Sequence, residues 1–153
     1  MRVKIDRLVH LPQAFLATRQ LISVGEVIEL ALQSLKGRRD QVSVVAAQGE
    51  QTCIDGNAAA LALGELLLNA LTAGAPVSLS ASLEGRSLVL RVTNPGPGFP
   101  PAAIDPFEGA EGKTLGLGLA IAQAVAISHG GALTLTDEGG VSTATLSLVG
   151  ANA

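Results

Sequence analysis

The sequence predicts one α/β domain in which a mixed, mainly antiparallel sheet carries helices on one face. Three observations lead to this fold. Apolar residues recur at helical spacing in several long runs, and short β-rich runs come in pairs joined by turn residues. The length of 153 residues suits a single ordinary domain. Helices interspersed with hairpins are typical of helices packed on an antiparallel sheet.

The first part of the chain is predicted to be helical. Apolar residues indicate one kinked helix, or two short ones, from Lys4 to about Gln20, with Pro12 as the interruption. Ser23 is followed three residues later by Glu26, which is a capping-box pattern. This pattern predicts a helix over Val24–Lys36.

The middle of the chain is predicted to form a hairpin followed by a long helix. The β-rich runs 41–47 and 51–54 are separated by Gly49, and this spacing favours a hairpin. Residues 55–57 are Asp, Gly and Asn, which suit a turn and a helix N-cap. An apolar-rich helix is therefore expected from Ala58 to about Thr72.

The second half of the chain is predicted to contain two further hairpins and one helix. The paired strands are 76–83 with 87–93, and 132–136 with 143–148. Between the hairpins, 94–114 is rich in Gly, Pro and acidic residues, and 115–129 has helical periodicity. A loop of about 20 residues is uncommon in a compact domain unless it has a function.

Composition excludes several classes of function. The net charge of −3 without a dense basic run argues against a nucleic-acid partner. The longest apolar stretch, near Ala58–Leu68, contains Gly64 and Glu65 and is shorter than a membrane span requires. The N-terminus lacks a signal-peptide layout, and Cys53 is the only cysteine. A soluble, cytoplasmic segment is expected.

Glu65 and Asn69 are the first candidate site residues. Their i, i+4 spacing places both side chains on one face of the long predicted helix. A carboxylate and an amide in so apolar a stretch are costly to bury without partners. A hard cation such as Mg²⁺, which takes oxygen ligands and substrate phosphates, would be one partner. The alternative is that Glu65 faces water on an amphipathic helix.

The long loop holds two glycine-rich runs. Asn94 to Pro100 follows directly on a strand, where glycines allow close approach of a ligand to the backbone. Gly112 to Gly118 leads into a helix, whose free N–H groups attract phosphate, and Lys113 adds a positive charge there. Each run alone is also compatible with an ordinary turn.

Together and in this order, these motifs resemble the catalytic ATP-binding domain of histidine kinases. That domain belongs to the wider group that includes gyrase, the mismatch-repair ATPases and the anti-sigma serine kinases. The similarity extends over about 23–148. The matching motifs are an N box at 65–70, a first glycine box at 94–99, an F box at 105–108, a second glycine box at 116–121, and a helix exit at 129–131.

The resemblance implies a two-layer α/β sandwich of the Bergerat type, with ATP held between the helices and a lid. Asn69 would coordinate Mg²⁺, Glu65 would stand where relatives place an Asn or a catalytic base, and Asn94 would contact the adenine amino group. The other residues that it assigns to the nucleotide are Gly96, Gly98, Phe107, Lys113, Thr114, Gly116, Leu117, Gly118 and Thr143.

The sequence departs from the family pattern at three places. Asn94 stands where these kinases usually have Asp, which removes a charge-assisted hydrogen bond but keeps an acceptor oxygen. Thr72, Ala73 and Gly74 replace a basic residue and an aromatic that commonly follow the N box. His10 lacks the neighbours of a phosphoacceptor, so the acceptor is expected on a missing segment or on another chain.

The resemblance therefore predicts two segments and three possible functions. Residues 1–20 would be a remnant of a dimerisation helix or an N-terminal helical extension, and 21–153 the ATP-binding domain. The first function is histidine phosphorylation on a dimerisation domain for relay to a response regulator, with a homodimer possible and the segment itself not in the membrane. The alternatives are an anti-sigma-type serine kinase, with Glu65 as base, and a non-catalytic docking or phosphotransfer module.

Overall fold

The computed structural model describes residues 19–46, 49–95 and 113–151, with side chains in the last helix from Gly118 onward. The helices are α1 (Val24–Gln33), α2 (Gly56–Ala73) and α3 (Lys113–Ser128). The strands are β1 (Gln20–Ser23), β2 (Val42–Ala46), β3 (Gln51–Ile54), β4 (Val77–Glu84), β5 (Ser87–Pro95), β6 (Ala132–Glu138) and β7 (Val141–Val149). A 3₁₀ turn at Arg39–Gln41 leads into β2.

Five of these strands form one mixed sheet in the order β2-β4-β5-β7-β6. β2 and β4 are parallel, whereas the three other neighbouring pairs are antiparallel. β1 and β3 form a separate antiparallel pair. The prediction of a mainly antiparallel sheet is therefore confirmed.

The helices cover one face of the five-stranded sheet. In β7, Ser142, Ala144, Leu146 and Leu148 are buried, while the residues between them are more exposed. This alternation is the two-residue period of a strand with one covered face. α2 contacts α1, α3 and strands β4 and β5, which makes it the centre of the helical layer. The two-layer arrangement is as expected.

Two side-chain caps determine where the first helices begin. Ser23 and Glu26 form a reciprocal capping box at the start of α1, as the sequence predicts. Asp55 caps α2, because its Oδ1 accepts a hydrogen bond from the Ala58 amide at 3.1 Å. α1 ends at Gln33 rather than at Lys36, and Lys36 then adopts a positive φ of 50° in the following turn.

α2 is apolar on almost every side because it lies in the middle of the helical layer. By length and composition its 18 residues could cross a membrane. However, 61% of that segment is buried inside the domain, and packing against both neighbouring helices accounts for its apolar character.

The hairpin predicted for 41–47 and 51–54 is wrong. β2 pairs in parallel with β4, and β3 pairs with β1 instead. Parallel pairing places Val42, Val44 and Ala46 of β2 under the helical layer, which an isolated hairpin could not do. Gln20 is also not helical but begins β1, and the rest of the helix expected over Lys4–Gln20 lies outside the described residues.

The other two hairpins are confirmed. β4 and β5 meet at the pair Glu84–Ser87, and Gly85 in the turn has a φ of 65°. β6 and β7 join through Gly139 and Gly140, which both have positive φ. Two consecutive positive φ values match the twist of a two-residue hairpin, and glycine adopts them without a steric penalty.

α3 is connected to β6 by a tight passage at Gly131. An ideal Cβ built on Gly131 would overlap the carbonyl oxygen of Ser147 in β7. Because the obstacle is backbone in the middle of the sheet, a side chain at this position would have to displace the sheet or the helix.

We expect Gly131→Ala to lower the free energy of unfolding by about 1–3 kcal/mol, the usual cost of overpacking. Gly49→Ala is the matched control, because nothing lies within 4 Å of its ideal Cβ, and it should leave stability nearly unchanged. Urea unfolding followed by circular dichroism measures both. Equal urea midpoints for the two variants would contradict the close contact between position 131 and the Ser147 backbone.

Candidate functional site

Helices α2 and α3 run in opposite directions and approach closely at Gly118. An ideal Cβ on Gly118 would lie 3.0 Å from Glu65 Oε2 and 3.3 Å from Asn69 Nδ2. The second glycine-rich run is thus brought directly against the carboxylate and the amide of α2. Gly118 lies far from Glu65 and Asn69 in the sequence, and the three residues together form the centre of the candidate site.

Asn69 has an unusual environment among the described residues. Its Nδ2 atom is buried and has no hydrogen-bond partner there. The residue as a whole is half-buried, as is Glu65 one turn earlier. A buried polar atom without a partner costs free energy, so such atoms are rare in native proteins and point to a ligand or a special function.

The oxygen atoms at this position suit a magnesium ion that is shared with phosphates. Glu65 supplies a carboxylate and Asn69 an amide oxygen, and both side chains lie against the same glycine. Mg²⁺ prefers oxygen ligands and is usually held by one or two protein groups together with substrate phosphates. Over the described ranges, no cluster of three or more His, Cys, Asp or Glu side chains forms a complete protein cage. The residues present therefore fit an ion that arrives with a nucleotide.

Asn94 lies at the end of β5, on the side of the sheet that faces the helices. The residue is only 3% exposed. The amide Nδ2 donates a hydrogen bond to the carbonyl oxygen of Pro95 at 2.9 Å. Gly74, which caps the C-terminus of α2, would place an ideal Cβ 2.7 Å from that same oxygen. The end of α2 thus reaches the end of β5 only because residue 74 has no side chain.

Ser142, and not Thr143, is the residue of β7 that lies beside Asn94. The register pairs Asn94 with Ser142 and Thr93 with Thr143. Ser142 is buried on the helix-facing side, whereas the Thr143 hydroxyl lies 3.4 Å from that of Thr93 on the opposite face. The register therefore places Ser142, rather than Thr143, on the face that Asn94 shares, and the adenine contact expected of Thr143 stays a prediction. Counting in twos from the core residues Leu146 and Leu148 would have found Ser142.

A buried polar junction fixes the opposite ends of α2 and α3. His129 follows α3 and is 1% exposed. Its Nε2 accepts a hydrogen bond from the Asp55 backbone amide at 3.1 Å, so Nδ1 carries the proton and donates to the Val125 carbonyl at 2.9 Å. The structural role expected for this histidine is confirmed, since it joins the end of α3 to the start of α2.

Arg19 contributes a cation to this junction. Its guanidinium group donates to the carbonyl oxygens of Val149 at 3.0 Å and of Cys53 and Ser128 at 3.4 Å. Burial lowers the pKa of His129 below its ordinary value, and the nearby charge of Arg19 acts in the same direction. The hydrogen bond to Val125 and the charge of Asp55 oppose this shift without reversing it.

The remaining residues that the sequence assigns to the site are not described. Gly96, Gly98 and Phe107 lie wholly outside the described residues. The first turns of α3 contain Lys113, Thr114, Gly116 and Leu117, whose side chains are not among the described parts of the chain. Their roles stay predictions.

The family model "Histidine kinase-, DNA gyrase B-, and HSP90-like ATPase" matches residues 54–150. No curated protein matches the sequence.

Several solved structures share the fold. Histidine kinase AdeS of Acinetobacter baumannii is 22% identical with a TM-score of 0.73, covering 95% of this chain and 74% of that one. A histidine kinase from Burkholderia phymatum is 19% identical with a TM-score of 0.74, covering 96% and 78%. The mycobacterial sensor histidine kinase MprB is 23% identical with a TM-score of 0.69, covering 89% and 100%. Because the three sequence identities are low, these similarities show a shared fold.

We expect the free energy of unfolding to fall as the pH is lowered from 7.5 to 5.5. Because the pKa of His129 is depressed in the folded state, the unfolded state binds more protons below about pH 6.5. Protonation of Nε2 would also remove the acceptor of the Asp55 amide. Urea unfolding at several pH values measures the effect.

His129→Gln should flatten this pH dependence even though it lowers the stability at every pH. His10→Gln is the matched control, since it removes the other histidine of the chain and shows how much of the change in slope is specific to position 129. An unaltered slope in the His129 variant would contradict the assignment.

Proposed function

Because the chain belongs to the histidine kinase-, DNA gyrase B- and HSP90-like ATPase family, we propose that it is the ATP-binding catalytic domain of a sensor histidine kinase. In this proposal it binds Mg-ATP and transfers the γ-phosphoryl group to a histidine on a dimerisation domain. The packing of Gly118 on Glu65 and Asn69 is the single observation that carries the proposal, because it joins two motifs from distant parts of the chain into one oxygen-rich site.

The phosphate end of the nucleotide is assigned to the meeting point of α2 and α3. Asn69 would hold Mg²⁺ through its side-chain oxygen, with the Glu65 carboxylate beside it, and the bound ion would neutralise charge on the phosphates. The absence of a side chain at Gly118 leaves room beside both residues. α3 begins five residues before Gly118, and free N–H groups at a helix start favour anions.

The base of the nucleotide is assigned to the end of β5. Asn94 is buried on the helix-facing side of the sheet and has an amide that can contact the edge of a base. Ser142 lies beside it in β7 with a hydroxyl on the same face. This separation of the base end from the phosphate end would orient the γ-phosphate toward an acceptor from outside the domain.

In phosphoryl transfer, the bond between the γ-phosphorus and its bridging oxygen breaks while a bond to the acceptor atom forms. We assign Glu65 as the group that receives the proton released by the acceptor, because a carboxylate can do so at this position and an amide cannot. His129 is not the acceptor, since it is buried and both ring nitrogens have hydrogen-bond partners. We place the acceptor on a dimerisation domain of the same or a partner chain.

The proposal extends to the context of the domain. We propose that residues 1–18, which precede Arg19 and β1, belong to a dimerisation helix or helical extension. We also propose that a response regulator receives the phosphoryl group and that the domain works in the cytoplasm, where ATP is available. These assignments rest on the motif order and on the family.

One observation supports a second candidate. A carboxylate at Glu65, beside the assigned phosphate site, would serve equally as the base for a serine hydroxyl of a partner protein. The phosphorylated product separates the two reactions, since phosphohistidine is hydrolysed in acid and phosphoserine is stable there. The solved structures that share this fold include several histidine kinases, and this supports histidine phosphorylation as the first candidate.

The first experiment is calorimetric titration of the chain with ADP, with and without Mg²⁺. We expect magnesium-dependent binding that weakens at least about tenfold in Asn69→Ala, because the variant removes an oxygen ligand from the ion. Leu61→Ala is the control on the same helix, since Leu61 is 45% exposed. Absence of binding at millimolar nucleotide would overturn the proposal and leave a docking module as the function.

Gly118→Ala should separate stability from binding. Alanine is a better helix former than glycine by about 1 kcal/mol, so the thermal midpoint should hold or rise. The new methyl group would lie about 3 Å from Glu65 Oε2 and displace that side chain from the site. We therefore expect weaker Mg-ADP binding without unfolding, and unchanged affinity would mean that the nucleotide does not approach this contact.

A further inference from the structure

The amide of Asn94 is oriented by its own neighbour in the chain. Nδ2 donates to the Pro95 carbonyl oxygen at 2.9 Å, and the side chain is almost completely buried. Turning the amide by half a rotation would exchange this hydrogen bond for a contact between two oxygen atoms. Both atoms are acceptors, so the turned state loses a bond and gains repulsion in a site that water enters poorly.

The Pro95 carbonyl lies at the end of a paired strand. Proline has a fixed φ and restricts the preceding residue to extended conformations, which keeps Asn94 and Pro95 in line with the strand. Both residues are paired in the ladder with β7. On the other side, Gly74 at the end of α2 lies so close that an added Cβ would come to 2.7 Å from the Pro95 oxygen. A side chain at position 74 would therefore push the oxygen out of its present place beside Asn94.

From this geometry we infer that the Pro95 carbonyl and Gly74 act as positioning residues that make Asn94 present only its oxygen to a bound base. An unconstrained asparagine can offer either an acceptor or a donor, and so could contact an amino group or a carbonyl group. With the amide orientation fixed, Asn94 behaves as an acceptor, like a carboxylate. The site then selects a purine with an amino group at position 6 over one with a carbonyl.

This inference rests on the proposed function and explains how Asn replaces Asp without losing base selectivity. A 6-oxo purine would place its oxygen against Asn94 Oδ1 and leave both acceptors without a donor. Leaving a buried polar group unpaired is costly, which is why sites built around one hydrogen bond reject analogues that cannot make it.

The test compares the affinities of Mg-ADP and Mg-IDP, which differ in an amino or carbonyl group on the base and share the sugar and phosphates. We expect ADP to bind about tenfold more tightly or better in the unaltered chain. Gly74→Ala should shift Pro95, release the amide and reduce the ratio of the two affinities severalfold. A general loss of stability would weaken the binding of both nucleotides alike and leave the ratio of their affinities unchanged.

Two further variants make the result specific. Gly64→Ala is the matched control, because it adds a methyl group to the same helix 2.8 Å from Ser34 Oγ, away from Asn94, and should keep the ratio. Asn94→Asp replaces the amide by a carboxylate, which has no N–H group to donate to the Pro95 carbonyl. The preference of this variant for ADP over IDP should therefore not depend on that hydrogen bond. The ratio of Asn94→Asp should therefore stay the same when Gly74→Ala is added.

The possible outcomes separate the two proposals. Equal affinities for ADP and IDP in the unaltered chain would overturn the inference while nucleotide binding stands. The inference would also be overturned if Gly74→Ala left the ratio of the ADP and IDP affinities unchanged. Binding of neither nucleotide would overturn the proposed function and the inference together.

Discussion

The close approach of α2 and α3 is the constraint on which the rest of the molecule depends. At one end, Gly118 lies against Glu65 and Asn69, at a contact where one of the two helices lacks a side chain. At the other end, His129 joins the end of α3 to the capping residue of α2. A contact fixed at both ends sets the spacing of the helices, and the positions of the polar groups between them follow from it.

Glycines also allow close packing where the helical layer meets the sheet. Gly74 and Gly131 each stand where a side chain would run into backbone oxygen atoms, of Pro95 and Ser147 respectively. Their missing side chains let the loops at the ends of α2 and α3 lie directly on strands β5 and β7. Asn94 and the Pro95 carbonyl are held at one of these contacts, so a local packing requirement also orients a polar side chain.

Features that depend on neighbouring residues in the chain were predictable. The capping box at Ser23 and Glu26, the long apolar helix around Glu65 and Asn69, and the two glycine-containing hairpins all appear as the sequence indicates. Each is stabilised by hydrogen bonds or periodicity within a few residues, which a sequence displays directly. The pairing of β2 was missed because its partner β4 lies beyond α2, and short-range signals favour the nearer strand.

The sequence by itself determined the motif order, the family and the helix that carries the polar pair. Counting in twos along β7 indicates that Ser142 shares the buried face, but only the tertiary structure decided that it lies beside Asn94, because strand register is set by pairing with β5. It also decided that Gly118 meets Asn69 and that Pro95 orients Asn94. Contacts between distant segments depend on how whole elements pack, and no local pattern records that geometry.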